Sequence, residues 1–233
     1  MTYVQHRGPI PDWIKKLRAD GYLNIFEICQ PDTLYGTEHL CGDWAGQLLI
    51  VAKDFAPADE VLRLTKLGLP PELVYRHNDG DGRFKTGLRT NRRLMKLLFG
   101  PHATVQGERA ASCGALYVSA CFLLKQGTTS SKLENWASGS DTRKASRQVL
   151  EHTIAVMPNL RAIACLGGDA LQLLGEIYGF DTPSRVTDAI GRRFGRSIPV
   201  YFAPHPSRGS NEAHEMAWRF IKKDAALELP QYQ

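Results

Sequence analysis

Two residue types suited to chemistry stand just after short apolar runs. Asp54 follows Leu48-Leu49-Ile50-Val51-Ala52, and His205 follows Ile198-Pro199-Val200-Tyr201-Phe202-Ala203. An ionised carboxylate stabilises developing positive charge and orients a water; an imidazole N–H stabilises negative charge on a departing group. Lys53 precedes the carboxylate, and Pro206-Ser207-Arg208-Gly209-Ser210 follows the histidine. An amine at Lys53 either forms a Schiff base or, as is expected, points away or contacts phosphate. Ser207 and Ser210 precede a helical pattern, where backbone N–H groups hold phosphate oxygens; the same serines suit simple helix capping equally well. Two basic clusters, Arg89, Arg92 and Arg93, and Arg192, Arg193 and Arg196, are either solvated faces or phosphate contacts.

These residues need a scaffold, and the apolar runs supply it. Besides 48–52 and 198–203, Ala115-Leu116-Tyr117-Val118-Ser119-Ala120 and Ala162-Ile163-Ala164-Cys165-Leu166 are nearly continuous. Continuous rather than alternating apolar strands are expected where both faces of a sheet are covered. Helical patterns at 12–19, 59–67, 91–99, 143–157, 170–178 and 211–227 separate them. The alternation predicts a three-layer α/β/α sandwich with a central four-stranded parallel sheet. Turn-rich stretches at 75–87 and 127–142 are expected to be loops. No linker or repeat divides the chain, so one domain is expected over 1–233, with an N-terminal helical extension over about 1–45. In open parallel sheets ligands bind beyond the carboxyl ends of the strands. Those ends run into Lys53-Asp54, Cys121-Phe122, Gly167-Gly168-Asp169 and Pro204-His205.

Composition removes several classes. Hydrophobic residues make up 43% of the 233 residues and charged residues 23%, which argues against a disordered or coiled-coil chain. The net charge of +5 permits a polyanionic partner without requiring one. Five cysteines with no C-x-x-C pair argue against a disulfide framework and for a reducing, cytoplasmic setting. Cys113, Cys121 and Cys165 are expected to be buried apolar residues. The N-terminus has no signal-peptide core, and the longest apolar run, 115–124, is short of the about 20 residues that cross a bilayer, so no membrane partner is expected. The glycine fingerprints of dinucleotide and P-loop folds are missing, as is the G-x-S-x-G elbow. His214-Glu215 lacks the second histidine of a zinc protease, and His39 and Cys41 lack a partner pair, so no metal site is expected.

The strand-end residues resemble the uracil-DNA glycosylase superfamily from about 48 to about 222. Leu-Leu-Ile-Val-Ala-Lys-Asp-Phe-Ala-Pro (48–57) resembles its first motif, a buried strand and water-activating loop, with Ala52 and Lys53 in place of the Gly and Gln of G-Q-D-P-Y-H. His205-Pro206-Ser207 resembles its second motif, H-P-S, and 205–218 is similar to the single-strand-selective monofunctional branch. Ala164 to Leu171 resembles the L-G-x-x-A turn, and Gly82-Arg83-Phe84 with Asn91-Arg92-Arg93-Leu94 resembles the loop whose Phe stacks on a flipped base.

The resemblance implies catalytic roles for Asp54 and His205. It implies base binding by Phe84, Ala52, Lys53, Phe55 and Ser119, and DNA contacts from Ser207, Arg208, Gly209, Ser210 and Gly167. It further implies uracil-containing DNA, single- or double-stranded, as partner, a monomer, and chemistry with no cofactor. The base-reading Asn is replaced in Val118-Ser119-Ala120-Cys121, which widens the expected substrates to deaminated purines such as hypoxanthine and xanthine. The closely spaced cysteine pair of the cluster-bearing branches is absent, so no iron–sulfur cluster is expected. A non-catalytic nucleic-acid-binding relative of the same fold is the alternative, and a nucleotide hydrolase on the same sheet a third.

Overall fold

The four apolar runs form four parallel strands: β2 (Leu48–Asp54), β3 (Ala115–Cys121), β5 (Ala162–Leu166) and β7 (Val200–Ala203). The computed structural model describes residues 2–28, 33–38, 40–54, 58–66, 89–101, 103, 107–127 and 139–231. Leu48, Leu49, Ile50 and Val51 have no exposed surface, as both-face coverage requires. Burying such side chains stabilises the fold by about 1.5–3 kcal/mol each.

The sheet order is β3-β2-β5-β7-β6. The fifth strand, β6 (Arg193–Phe194), corrects the four-stranded expectation: it pairs antiparallel with β7, Arg193 opposite Tyr201. Two residues carry no readable alternation. At the other edge, beyond β3, Gly42 bridges to Leu116, the Tyr117 N–H donates to the Cys41 carbonyl at 2.9 Å, and Thr37 Oγ1 donates to the Tyr117 carbonyl.

Helices cover both faces. On one face, α4 (Ala58–Lys66), α5 (Arg89–Phe99) and α8 (Asn211–Asp224) pack Val61, Leu94, Leu98, Trp218 and Ile221 against Leu48, Ile50 and Ala52. On the other, α6 (Asp141–Val156) and α7 (Gly168–Tyr178) pack Val149, Leu150, Leu171 and Leu174 against Leu49 and Val51. Each helix starts or stops for a local reason. Ser140 caps α6 by accepting the Arg143 N–H, and α7 ends at Gly179, left-handed at φ 67°, whose N–H bonds the Gly175 carbonyl.

The N-terminal part is less helical than its pattern. It holds α1 (Thr2–Arg7), α2 (Asp12–Lys15) and α3 (Ile25–Ile28), and β1 (Tyr22–Leu23) pairs antiparallel with β4 (Leu124–Lys125). The helix expected over 12–19 stops at Lys15; beyond it the Leu17 N–H closes a tighter turn on the Ile14 carbonyl at 3.3 Å, and that carbonyl also accepts from buried Asn24 Nδ2 at 2.7 Å. Residues 33–38 are buried without regular structure. The Glu38 carboxylate satisfies their backbone, accepting the N–H groups of Leu34, Tyr35 and Thr37. Cys41, Cys113, Cys121 and Cys165 are buried free thiols, as the apolar runs implied for the last three.

Chain order and sheet order together locate the switch point. From β2 the chain steps to β3 on one side; after β3 it crosses to β5 on the other side of β2 and then proceeds to β7. The crevice of such a sheet opens where the order reverses, between β2 and β5 at their carboxyl ends.

Candidate functional site

Lys53 stands at that crevice. Its Nζ lies 2.9 Å from Asp169 Oδ2, so an ion pair bridges the end of β2 and the first turn of α7. Both side chains are more than a third exposed, so the pair contributes at most about 1 kcal/mol to stability. Its effect is geometric: the amine is turned toward Asp169. The carboxylate also sits where a helix start favours negative charge. Gly167, at φ 115°, makes the turn from β5 into α7, a conformation L side chains rarely adopt.

Asp54 is the last residue of β2, in register with Cys121 of β3. It lies inside the strand, and α4 starts only at Ala58, so it stands too far upstream to cap that helix. Ala52 is in register with Ser119 on one side and Leu166 on the other. Ser119 is buried and lines a cavity of about 10 Å³ with Tyr35 and Phe122, room for no more than a water. Phe55, Phe84 and the loop over 75–87 lie outside the described residues, as does the Asp54 side chain.

Beyond β7 the residues 204–210 form a fastened loop. The Arg208 N–H donates to the His205 carbonyl at 2.7 Å and closes a turn. Arg93 of α5 reaches in: its guanidinium donates to the Pro206 carbonyl at 3.0 Å and to Asn211 Oδ1 at 2.6 Å. His214 of α8, fully buried, donates from Nε2 to the Arg208 carbonyl at 2.6 Å. Ser210 caps α8 by accepting the Ala213 N–H at 3.1 Å. Gly209 is left-handed at φ 79°, and a Cβ there would press within 3.2 Å of Pro204 Cβ. Arg208 is exposed at the loop, and Ser207 and Gly209 beside it are exposed too.

This fastening sets the proton on His205. The Ser207 N–H donates to His205 Nδ1 at 3.3 Å, and Ser207 Oγ lies 2.7 Å from the same nitrogen. A ring nitrogen that accepts a backbone N–H carries no proton, so the neutral ring holds its proton on Nε2. Burial lowers the pKa of His205, and the charges of Arg208 and His214 lower it further. The imidazole is therefore a neutral donor through Nε2 near neutral pH.

The arrangement sets an acidic residue, Asp54, and a hydrogen-bond donor, His205, on one sheet edge. β5 separates their strands, so they stand about two strand spacings apart, roughly 10 Å along the edge. Three participants escaped the sequence reading. Asp169 looked only like part of a turn. Arg93 looked no different from Arg92 in its cluster. His214 had a usable signal: it opens the stripe His214, Ala217, Trp218, Ile221, whose spacing marks the buried face of a helix. Among the described residues no group of three or more His, Cys, Asp or Glu is placed to hold a metal. Among the same residues no helix is long and apolar enough to cross a membrane. No family model and no curated protein matches the chain.

Proposed function

We propose that the protein is a DNA glycosylase that hydrolyses the N-glycosidic bond of uracil in DNA, with deaminated purines as further substrates. The observation that carries this reading is His205, neutral and donating through Nε2, on the same sheet edge as Asp54. Such chemistry takes the base out of the stack. As the bond to the sugar breaks, negative charge gathers on the base and positive charge on the sugar. His205 Nε2–H donates to the base carbonyl oxygen, and the Asp54 carboxylate stabilises the sugar and orients the attacking water. Each interaction is worth on the order of 3–4 kcal/mol of barrier. Water, not the Lys53 amine, ends the reaction, since Lys53 is engaged with Asp169. In this reading Arg208, Ser207, Gly209, Ser210 and Gly167 contact the DNA strand.

The test uses a labelled oligonucleotide with one uracil, single- and double-stranded, incubated in EDTA and then cleaved at abasic sites with alkali. Wild type is expected to cleave, with Asp54→Asn and His205→Ala each slower by 100-fold or more, by the same barrier arithmetic. Equal rates in wild type and both variants would remove the assignment of these residues. Base release from no uracil, hypoxanthine or xanthine substrate, with oligonucleotide binding intact, would replace the enzyme by a nucleic-acid-binding module.

A further inference from the structure

Away from the strand ends, α5 and α8 enclose a groove of about 560 Å³ that reaches the base of the 204–210 loop. Among the described residues, Arg93, Lys96, Arg219 and Lys222 line it, against the carboxylate of Glu215. Two of these cations are hydrogen-bonded but not neutralised. Arg93 donates to the Pro206 carbonyl, and Lys222 Nζ donates to the Leu97 and Leu98 carbonyls at 2.7 and 2.8 Å. A carbonyl carries no net charge, so the positive charge remains. Lys96 and Arg219 are exposed and make no ion pair with a described residue.

Trp218 lies in the groove wall and is packed into the core behind it. Trp218 is 2% exposed, and its Nε1–H has no hydrogen-bond partner among the described residues. His214, which also lines the groove, links it to the loop through the Arg208 carbonyl.

We infer that the groove between α5 and α8 seats the sugar–phosphate backbone of a DNA strand that continues away from the 204–210 loop. The inference rests on the reading of DNA as the substrate and adds where a flanking segment runs. The occupant must be anionic, to meet four cations and one carboxylate among the described lining residues. It must also be continuous with whatever lies at the loop, because Arg93, Asn211 and His214 belong to both. A phosphodiester backbone meets both conditions. It carries one charge per nucleotide and is read without regard to sequence.

The experiment measures binding of a uracil-free single-stranded 20-mer by fluorescence anisotropy across a salt series. It compares wild type with Lys96→Gln/Arg219→Gln. A control variant, Lys15→Gln/Lys144→Gln, loses the same charge on α2 and α6. Losing two phosphate contacts lowers the slope of log K against log salt by about 1.4. At 0.1 M salt this is about 25-fold weaker binding, the value that slope gives relative to 1 M. The expected result is that loss in the groove variant alone, with the Trp218 indole N–H resonance shifted by the 20-mer; Trp218→Phe assigns the resonance. A groove variant with the wild-type slope, or one matched by the control, overturns the inference. So does an unmoved indole resonance, or loss of poly-glutamate binding with DNA binding intact, which would make the groove an acidic-peptide site. Failure of the glycosylase reading looks different: no base is released, yet the groove variant still loses oligonucleotide affinity.

Discussion

The two helical layers use the same residue types in opposite ways. In the α6/α7 layer, cations meet carboxylates: Arg143 pairs with Glu176 at 2.9 Å, Lys144 with Asp141 at 3.2 Å and Arg147 with Glu151 at 2.9 Å. On α5 and α8, Arg93 and Lys222 meet carbonyls instead, and Lys96 and Arg219 make no ion pair with a described residue; Asp224, at the end of α8, pairs with Arg193 of β6 at 4.0 Å. α5 carries Arg89, Arg92, Arg93 and Lys96 and no acidic residue. Its Arg93 fastens a loop, and Lys222 of α8 tethers the end of α5. One layer cancels its charge internally and serves the fold. The other holds the cations of its α5/α8 groove in place without an ion-pair partner among the described residues, which suits a surface that receives an anion.

Removing one carboxylate from each layer should break this contrast most sharply. Glu176→Ala leaves Arg143, only 8% exposed, without that partner, and should cost about 2–3 kcal/mol in urea unfolding. That lies below the full buried-pair cost because Glu176 itself is about a third exposed. Glu215→Ala, in the cationic groove, should change stability by less than about 0.5 kcal/mol and tighten oligonucleotide binding. Equal losses of stability would mean that the layers do not differ.

A smaller effect comes from the matched caps. Ser140 accepts from Arg143 N and Ser210 from Ala213 N, one in each layer. Alanine at either site should cost about 1 kcal/mol by thermal or urea unfolding. Base release should slow only for Ser210→Ala, because that serine ends the loop bearing His205.

The weakest effect is a pH dependence spread over both layers. Burial lowers the pKa of His152 on α6, of His205, and of His214 on α8. An unfolded histidine takes up a proton near its ordinary value of about 6.5, while these folded ones resist until lower pH. The unfolded state thus binds more protons in that window, and stability should fall as pH drops below about 6.5. Urea midpoints at pH 7.5 and 5.5 measure the drop, and His152→Gln and His214→Gln should each shrink it. A midpoint that rises on acidification would contradict the lowered values.

The fold was legible where burial writes itself into composition. The runs at 48–52, 115–120, 162–166 and 198–203 are nearly all apolar because helices cover both faces, and each matches the strand that forms there to within two residues at either end. Short pairings were illegible: β6 is two residues long, and β1 and β4 hold together by tertiary contact rather than pattern. The buried stretch 33–38 was hidden for another reason, since its backbone is satisfied by a Glu38 side chain that sequence alone would place in water. At the site, the strand ends bearing Asp54, Gly167 and His205 could be read from chain order. The fastening by Arg93, His214 and Asp169 could not, because each reaches its partner across a large gap in sequence or through a turn, and an arginine that grips a carbonyl looks like one that faces solvent.

The two edges of the sheet carry a consequence for behaviour at high concentration. An open strand edge is a template on which a second copy can add its own strand. Here β7 is shielded by a two-residue strand that begins with a cationic arginine, and β3 is overlaid by the chain around Thr37, Cys41 and Gly42. Among the described residues, each side thus gives part of its hydrogen-bonding edge to another segment of the same chain. The protein is thereby guarded against edge-to-edge fibre growth, and substitutions that loosen 37–42 are where that protection would first fail.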